Sequence, residues 1–389
     1  MSSEDDELNT RMIHAGRSAT RFGGTVNPPI QRASTILAPN MDGLYGGTKS
    51  LYARMGTSVH ESLAEGLCAL ENASHTQLAA NGLNACSLAL ASVLNAGDHL
   101  IASDSIYGPT RRFCEKFLSR MGVQTSFIHP RTSADELEAL LRENTRGIFL
   151  EMPGSLTFEL HDIKGITKLA RERDLITILD NTWAAGVFFK PLDHDVDISV
   201  QALTKYVIGH SDGFGGAVMT KRKDLANKIK STAEEWGITM SPDDAYLAQR
   251  GLRSLALRMN SQGEAALDLA RFLEAHPAIE RVFHPGLASH EDHDIWTSCF
   301  SGAAGLFSFT LKPVSDDALK RFFGALTLFG FGFSWGGFES LMIYCDPQLR
   351  RTESPEWAAD AHGPLIRVSV GLEDPNDLQA DLEQALASL

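Results

Sequence analysis

Short apolar runs alternate with segments of helical periodicity along most of the chain. Between the runs, apolar residues recur at helical spacing, as Leu63, Leu67 and Leu70 do. The runs predict strands at 76–80, 100–102, 123–128, 147–150 and 175–179. Repeated strand–helix units indicate a mostly parallel sheet covered by helices on both faces. We therefore expect an α/β fold.

The two ends of the chain depart from this pattern. The first 56 residues show little helical periodicity and are expected to form an arm that lies on another surface. The chain has 389 residues, more than the ~250–300 at which a single core usually stops growing. A second pattern of strands and helices begins near residue 252. The expected organisation is an arm (1–56), a large domain (57–251) and a smaller α+β domain (252–389).

Composition and charge argue against nucleic-acid-binding and membrane-bound classes of protein. The formal net charge of −14 repels phosphate backbones, so no nucleic-acid partner is expected. No apolar run approaches the ~18 residues of a transmembrane helix, and no membrane association is expected.

The N-terminus and the cysteines indicate a compartment. Residues 2–7 are acidic and lack the basic and apolar regions of a signal peptide. The five cysteines are scattered and have no CxxC spacing, which suits reduced thiols and gives no metal site. We therefore expect a cytoplasmic protein.

The stretch from Asp180 to Lys205 carries the strongest candidate chemistry. Leu175-Ile-Thr-Ile-Leu179 is a strand that ends at Asp180, and Asp197-Ile-Ser-Val-Gln-Ala-Leu203 precedes Thr204-Lys205. Ligands bind at the carboxyl ends of strands in α/β proteins. A lysine amine that attaches pyridoxal phosphate and an aspartate that pairs with its pyridinium nitrogen would fit here. A structural Asp180–Lys205 ion pair explains these two residues equally well.

Three further residues could extend such a site, although each has a simpler explanation. Gly82-Leu83 lies between a strand and a helix, where backbone N–H groups can bind a phosphate, but most such glycines only make turns. Tyr107 could stack on a flat cofactor or could be a packing residue. Thr204 offers a hydroxyl group to the same phosphate.

Two C-terminal stretches point to an anion site. Ser334-Trp335 precedes paired glycines, which a core strand disfavours. Arg367 lies inside the apolar run Leu365-Ile-Arg-Val-Ser-Val370. A buried arginine needs an anionic partner, which is either a substrate carboxylate or an internal ion pair. Near the N-terminus, Tyr52 and Arg54 are two apart on an extended segment and point the same way.

Together these stretches resemble one family in order and spacing. The chain resembles the Cys/Met-metabolism pyridoxal phosphate enzymes of fold type I from about residue 10 to the C-terminus. The stretches that carry the resemblance are Tyr52-Ala-Arg54, the Gly82 turn, Tyr107-Gly-Pro, Asp180-Asn-Thr-Trp-Ala-Ala-Gly186, Thr204-Lys205-Tyr-Val-Ile-Gly-His-Ser-Asp212, Ser334-Trp-Gly-Gly-Phe-Glu-Ser340 and Leu365-Ile-Arg367. The resemblance implies a mostly parallel sheet of the seven-stranded type in the large domain.

Within the family the sequence is most similar to the bacterial β-lyase branch. Pro-Gly-Ser155 follows Glu151-Met, where the γ-branches tend to have Pro-x-Asn-Pro. Trp335 after Ser334, and Arg54-Met-Gly-Thr57, point the same way. The implied activity cleaves cystathionine, or a related S-substituted cysteine, to a thiol such as homocysteine, pyruvate and ammonia. A γ-synthase or γ-lyase is the alternative.

The resemblance also implies roles. Lys205 would hold the cofactor and move the Cα proton, Asp180 would keep the ring nitrogen protonated, and Tyr107 would stack on the ring. Ser334, Trp335 and Arg367 would hold the substrate α-carboxylate. Tyr52 and Arg54 would reach the phosphate of a neighbouring subunit, in a homotetramer built as a dimer of dimers.

Two positions depart from the family pattern. Ala202 stands where the family's Ser-x-Thr-Lys has its serine, so the phosphate is expected to depend more on Thr204 and the Gly82-Leu83 amides. Phe333 stands where the β-lyases tend to have tyrosine. A more apolar pocket would favour cystine or S-alkyl cysteines over cystathionine.

Overall fold

A computed structural model describes residues 6–18, 20–46, 51–358 and 361–389. Two sheets organise the described part of the chain, one of seven strands and one of four. The larger sheet confirms the α/β prediction, and the smaller sheet confirms a second α+β unit. The predicted boundary near residue 252 coincides with the end of a helix, and the division into domains stays a prediction.

The large sheet has the strand order β1-β7-β6-β5-β4-β2-β3. Its strands are β1 (His75–Ala79), β2 (His99–Ser103), β3 (Gln124–Ile128), β4 (Thr145–Glu151), β5 (Ile176–Asp180), β6 (Ile198–Gln201) and β7 (Gly216–Thr220). Only β7 runs against both of its neighbours, so the other six strands share one direction. The carboxyl ends of six strands therefore lie on one edge of the sheet, the edge at which α/β proteins bind ligands.

Helices cover both faces of this sheet. One face carries a core made largely by α4 (Gly82–Val93) and α8 (Lys223–Glu235), and the other a core made largely by α3 (Ser58–Glu71) and α7 (Ile163–Glu172). The remaining helices of this half are α5 (Gly108–Arg112), a π-helical turn (Phe113–Leu118), α6 (Ala134–Ala139), a 3₁₀ turn (Pro191–His194) and α9 (Pro242–Leu252). Strands buried on both faces explain the continuous apolar runs in the sequence.

Helix α3 shows how local sequence sets an element. Thr57 and His60 form a reciprocal capping box at its N-terminus, and Asn72 ends it in the left-handed conformation at φ 54°. Leu63 and Leu67 fall on one face at helical spacing and are fully buried. The predicted periodicity is therefore confirmed.

The small sheet is antiparallel, with the order β10-β11-β9-β8. Its strands are β8 (Ile279–Phe283), β9 (Leu306–Leu311), β10 (Leu341–Tyr344) and β11 (Leu365–Ser369). The helices nearby are α10 (Leu255–Glu274), α11 (His293–Cys299), α12 (Asp316–Ala325) and α13 (Pro375–Leu386), with 3₁₀ turns at Asp346–Gln348 and Pro355–Trp357. Strands β8 and β10 were not predicted. Strand β11 carries Arg367 toward the large sheet.

The N-terminal arm contains more helix than its sequence predicts. Helices α1 (Leu8–His14) and α2 (Met41–Tyr45) and a 3₁₀ turn (Ala53–Met55) occur in the described part. Met12 of α1 is buried in the core beside α3, so this part of the arm packs on its own chain. None of the described helices combines the length and apolar character needed to cross a membrane.

Candidate active site

A cavity of about 1380 Å³ opens at the carboxyl edge of the large sheet. It brings together all but two of the residues predicted to form the site. Those lining it are Gly82, Leu83, Tyr107, Asp180, Thr204, Lys205, Ser334, Trp335 and Arg367. The first six lie at the ends of large-sheet strands or in the turns and helix that follow them. Ser334 and Trp335 lie between α12 and β10, and Arg367 lies in β11 of the small sheet. The site therefore depends on both sheets.

Asp180 is buried at the end of β5. Its Oδ1 accepts hydrogen bonds from the Thr182 amide at 3.0 Å and the Thr182 hydroxyl at 2.5 Å. Its Oδ2 accepts from Cys86 Sγ at 3.5 Å. Burial raises the pKa of Asp180, and the bonds from Thr182 partly offset that rise. A cation placed against this carboxylate would stabilise its ionised form.

Lys205 follows β6 in a turn, and its amine donates a hydrogen bond to Ser334 Oγ at 2.7 Å. The amine also lies 5.2 Å from the centroid of the Trp335 ring. Burial, and then the positive charge of Arg367, lowers the pKa of Lys205 to about 8. Within the described ranges no hydrogen bond or ion pair joins Lys205 to Asp180. The structure therefore does not show the structural Asp180–Lys205 ion pair that the sequence left open.

Arg367 points from β11 toward the same space and donates to the Ser334 carbonyl at 3.0 Å. Burial lowers the pKa of its guanidinium group, which remains a cation. Among the residues that the structure describes, no carboxylate lies within ion-pairing distance of Arg367. The internal ion pair considered from sequence is absent there, which leaves the guanidinium available to an anionic ligand.

The Gly82 turn has a steric reason for its glycine. A Cβ atom at this position would lie 2.4 Å from the Cβ of Ala202, so only glycine lets the turns after β1 and β6 approach. The side chain of Asn81 caps α4 by accepting from the Asn84 amide at 2.9 Å. The first N–H groups of a twelve-residue helix face the cavity, where they can bind a phosphate.

Thr204 lies in the same region, but its hydroxyl is already engaged. Its Oγ1 donates to the Gly215 carbonyl at 3.2 Å and accepts from the Gly215 amide at 3.1 Å. The prediction that Thr204 offers this hydroxyl to the phosphate therefore requires those two bonds to rearrange. The Gly82-Leu83 amides need no such change.

Tyr107 directly precedes α5 as its N-cap residue, and it lines the cavity while remaining 42% exposed. Its backbone amide donates to Glu151 Oε2 at 2.5 Å. Burial is the main cause that raises the pKa of the Tyr107 hydroxyl. An exposed aromatic face at this edge is available for stacking.

Sequence reasoning missed Glu151, Cys86 and Thr182. Glu151 ends β4 directly beside Asp180 in the strand register. Burial, and then the charge of Asp180, raises the pKa of Glu151 well above its usual value. Its place at a strand end was a signal that could have identified it. The contacts of Cys86 and Thr182 with Asp180 required the tertiary structure.

Tyr52 and Arg54 are the two predicted site residues that do not line this cavity. Tyr52 is 49% exposed, and the Arg54 guanidinium carbon lies 5.7 Å from its ring centroid. Arg54 donates to the carbonyl of Glu234 at 3.4 Å. A role for these residues in the site of a neighbouring subunit stays a prediction.

The arrangement fits pyridoxal phosphate. The buried carboxylate of Asp180 matches a protonated ring nitrogen, the amine of Lys205 matches the aldehyde carbon, and the glycine turn at the start of α4 matches the phosphate. Within the described ranges, no group of three His, Cys, Asp or Glu side chains could hold a metal ion.

Comparison with known proteins identifies the family. Residues 9–387 match the family described as Cys/Met metabolism PLP-dependent enzyme. A putative cystathionine beta-lyase of Rhizobium johnstonii is 41% identical over 98% of this chain and 96% of its own length. The cystathionine beta-lyase MetC of Escherichia coli is 37% identical over 99% of each chain.

A solved structure agrees with these sequence matches. The crystal structure of metB from Corynebacterium glutamicum superposes with a TM-score of 0.91 at 29% identity, covering 100% of this chain and 99% of the other. This similarity confirms the predicted fold of the family. The protein therefore belongs to the Cys/Met-metabolism family of pyridoxal phosphate-dependent enzymes.

Proposed function

We propose that the protein is a carbon–sulfur β-lyase that cleaves L-cystathionine to homocysteine, pyruvate and ammonia. The single observation that carries the proposal is that a lysine amine and an anion-binding arginine meet at one residue, Ser334. The amine of Lys205 bonds the same serine, Ser334, whose carbonyl accepts from Arg367. An amino acid held by its carboxylate at Arg367 would present its Cα–H bond to Lys205. Two relatives above are named cystathionine beta-lyases.

The cofactor, when bound, supplies an electron sink that stabilises negative charge at the substrate Cα. The Gly82-Leu83 amides would hold its phosphate, and the Thr204 hydroxyl would join them once its two bonds to Gly215 rearrange. Asp180, fixed by Thr182, would hold a proton on the ring nitrogen through its negative charge. Tyr107, which lines the cavity, would stack on the ring.

Lys205 has two tasks in this proposal. Its amine would attach the cofactor in the resting enzyme, and the free amine would move the Cα proton of the substrate. With its pKa lowered from 10.5 to about 8, the free amine of Lys205 has a neutral fraction of roughly a tenth at pH 7, far more than an ordinary lysine, and this fraction can accept a proton. Desolvation and the charge of Arg367 thus prepare Lys205 as a base.

The β-elimination needs water as its only other reactant, and its atoms balance as follows. The Cα–H and Cβ–S bonds break, a Cα–Cβ double bond forms, and the thiolate takes up a proton. Hydrolysis then releases pyruvate and ammonia. Arg367, Ser334 and Trp335 fix the α-carboxylate, which aligns the Cα–H bond with Lys205.

The alternative is γ-replacement or γ-elimination, as in a cystathionine γ-synthase or γ-lyase. Incubation of the purified enzyme with L-cystathionine distinguishes the two, because β-elimination releases pyruvate and γ-elimination releases 2-oxobutyrate. We expect pyruvate and homocysteine in equal amounts. Release of 2-oxobutyrate as the main keto acid would contradict the β-lyase assignment.

The proposed assembly is a homotetramer whose sites are shared between subunits, located in the cytoplasm. Exposure of Tyr52 and Arg54 outside their own cavity, and five free cysteines, support this proposal. Inactive Arg54→Ala and Lys205→Ala subunits, mixed and reassociated, should regain about a quarter of the wild-type activity. Half of such dimers are mixed, and each mixed dimer holds one intact site. No recovery at any mixing ratio would exclude shared sites.

A further inference from the structure

Two carboxylic acid side chains stand next to each other at the carboxyl edge of the large sheet. Glu151 ends β4 and Asp180 ends β5, and the two residues pair directly in the strand register. Both line the active-site cavity. Neighbouring strands lie only ~4.7–4.9 Å apart, and two carboxyl groups held so close in a poorly solvated site do not both ionise readily. One of the two therefore keeps a proton at neutral pH.

The hydrogen-bond donors around the two acids decide which one keeps the proton. Asp180 accepts from the amide and the hydroxyl of Thr182 and from the thiol of Cys86. Glu151 accepts from the Tyr107 amide alone. Among the residues that the structure describes, no lysine, arginine or histidine lies within ion-pairing distance of Glu151. Because donors stabilise a carboxylate, the negative charge belongs on Asp180 and the proton on Glu151.

Charges at longer range do not change this assignment. Burial, and then the charge of Asp180, raises the pKa of Glu151 well above its usual value. The positive charges of Arg351 and Lys205 oppose this rise without cancelling it. Burial also raises the pKa of the Tyr107 hydroxyl, so that group stays neutral as well. Of these three acidic groups, only Asp180 therefore carries a negative charge.

Glu151 also holds a segment of backbone in place. Its Oε2 accepts from the Tyr107 amide at 2.5 Å, and Tyr107 is the N-cap of α5 with no side-chain cap of its own. On the other side, the Tyr107 carbonyl accepts from the Arg111 amide at 3.0 Å, and Arg111 pairs with the buried Asp104 at 2.6 Å. Because both sides of its backbone are tied, Tyr107 can move its ring only by rotating side-chain bonds. Glu151 therefore sets where that ring enters the cavity.

We propose that Glu151 is a positioning residue that keeps its proton, holds the backbone of Tyr107 so that the ring can stack on the cofactor, and leaves the negative charge to Asp180. This inference rests on the roles proposed above for Tyr107 and Asp180, and not on which bond of the substrate breaks. A protonated carboxyl group offers a carbonyl oxygen to the Tyr107 amide without adding charge beside Asp180. A glutamine side chain offers the same oxygen and should replace Glu151, whereas alanine cannot.

The first measurement is the cofactor dissociation constant, obtained by titrating the apoenzyme with pyridoxal phosphate. Glu151→Gln should stay within about twofold of wild type, and Glu151→Ala should raise the constant about tenfold, the value of one hydrogen bond. In a Tyr107→Ala background, the same Glu151→Ala change should raise the constant less than about twofold, because the ring that Glu151 positions is gone. Equal losses of affinity in the Gln and Ala variants, or no loss in the Ala variant, would overturn the inference.

The second measurement detects the proton directly. Infrared spectra of the holoenzyme at neutral pH are compared between wild type and Glu151→Gln, so that the bands of the other carboxyl groups cancel. We expect the difference spectrum to contain the C=O stretch of a protonated carboxylic acid, which moves to lower frequency in heavy water. The pair of bands of an ionised carboxylate in its place would overturn the inference, whatever the cofactor titrations show.

Glu143→Gln is the matched control, because Glu143 is an exposed glutamate just before β4, at the opposite end of the same strand. It should bind the cofactor as wild type does and should keep the carboxylic acid band. An undiminished loss of affinity on Glu151→Ala in the Tyr107→Ala background would overturn the positioning role. Neither measurement uses a substrate, so failure of the proposed β-lyase function, seen as 2-oxobutyrate from cystathionine, is recorded separately.

Discussion

The two ends of the active-site cavity differ in how their charged groups are solvated: those at the inner end are buried, and those at the outer end are exposed. At the inner end, Asp180 and Lys205 are enclosed, each has a fixed hydrogen-bond partner, and burial shifts the pKa of both. Where α5 and the π-helical turn line the cavity, here called its outer end, Arg112 and Lys116 are exposed and have no ion-pair partner in the described ranges. Desolvation prepares groups for proton transfer, whereas solvated cations can only attract. We infer that proton transfer belongs to the buried charges of the inner end.

Lys205→Ala should give the largest effect, because it removes the base and the attachment point together. We expect turnover of cystathionine to fall by at least about 10⁴-fold, and the cofactor to become removable by gel filtration. Pyruvate release and visible absorbance measure the two effects. Lys223→Ala, an exposed lysine of α8, is the control and should behave as wild type. Activity within tenfold of wild type would remove Lys205 from the mechanism.

Arg367→Leu should weaken substrate binding and change the titration of Lys205. Loss of the charged contact to the α-carboxylate is expected to lower kcat/KM about 100-fold. Since the charge of Arg367 lowers the pKa of Lys205, its removal should raise that pKa above about 8. Cofactor capture by the apoenzyme requires the neutral amine, so its rate should reach half of its maximum at higher pH.

Arg367→Lys is the matched variant for this comparison. It keeps a positive charge but loses the forked geometry that grips a carboxylate. We expect it to keep the wild-type pH midpoint of cofactor capture while still losing kcat/KM. Identical midpoints in the Leu and Lys variants would mean that Arg367 does not influence Lys205.

Glu71→Gln tests whether burial also controls the pKa of a second acid near Asp180. Glu71 accepts from Asn181, the residue after Asp180, at 2.7 Å, and burial raises its pKa to about 7. The folded state thus holds its proton more tightly than the unfolded state. The contribution of Glu71 to the free energy of unfolding is therefore fully present below pH ~4.5. It is lost as the pH rises toward 7.

The wild type should therefore lose roughly 3 kcal/mol of unfolding free energy through this group between pH 4.5 and 7. Glu71→Gln does not titrate and should lack that decline. Denaturant unfolding at pH 5 and pH 8 measures it. Glu61→Gln, on the exposed face of the same helix, should keep the wild-type pH dependence. An equal decline in both variants would assign it to other groups.

Cys86→Ala should give the smallest effect. It removes the thiol that bonds Asp180 Oδ2, a contact that lowers the pKa of that carboxylate. We expect the cofactor dissociation constant to rise about threefold, the value of a weak hydrogen bond, in a titration of apoenzyme followed by fluorescence. Cys86→Ser, which retains a donor, should stay near wild type. Tighter binding by the alanine variant would contradict this role.

Much of the fold and of the inner site could be predicted from local sequence. The apolar runs before Asp180 and Thr204-Lys205 are strands, and the Gly82 turn does begin a helix. The paired glycines after Ser334-Trp335 and the apolar run around Arg367 also singled out these three residues, which line the same cavity, and the family resemblance gave them their role. The smaller strands β8 and β10 and the helix at Leu8–His14 were missed. Such short elements owe their stability to packing on the rest of the molecule, which their own residues do not encode locally.

The sequence alone determined the identity of the groups at the strand ends, because strand periodicity and turn residues are local properties. Only the tertiary structure decided what each charge faces. It placed Glu151 beside Asp180, brought Cys86 to the same carboxylate, and set Arg112 and Arg350 along one cavity. The physical reason is that desolvation and charge pairing depend on distances between segments far apart in sequence.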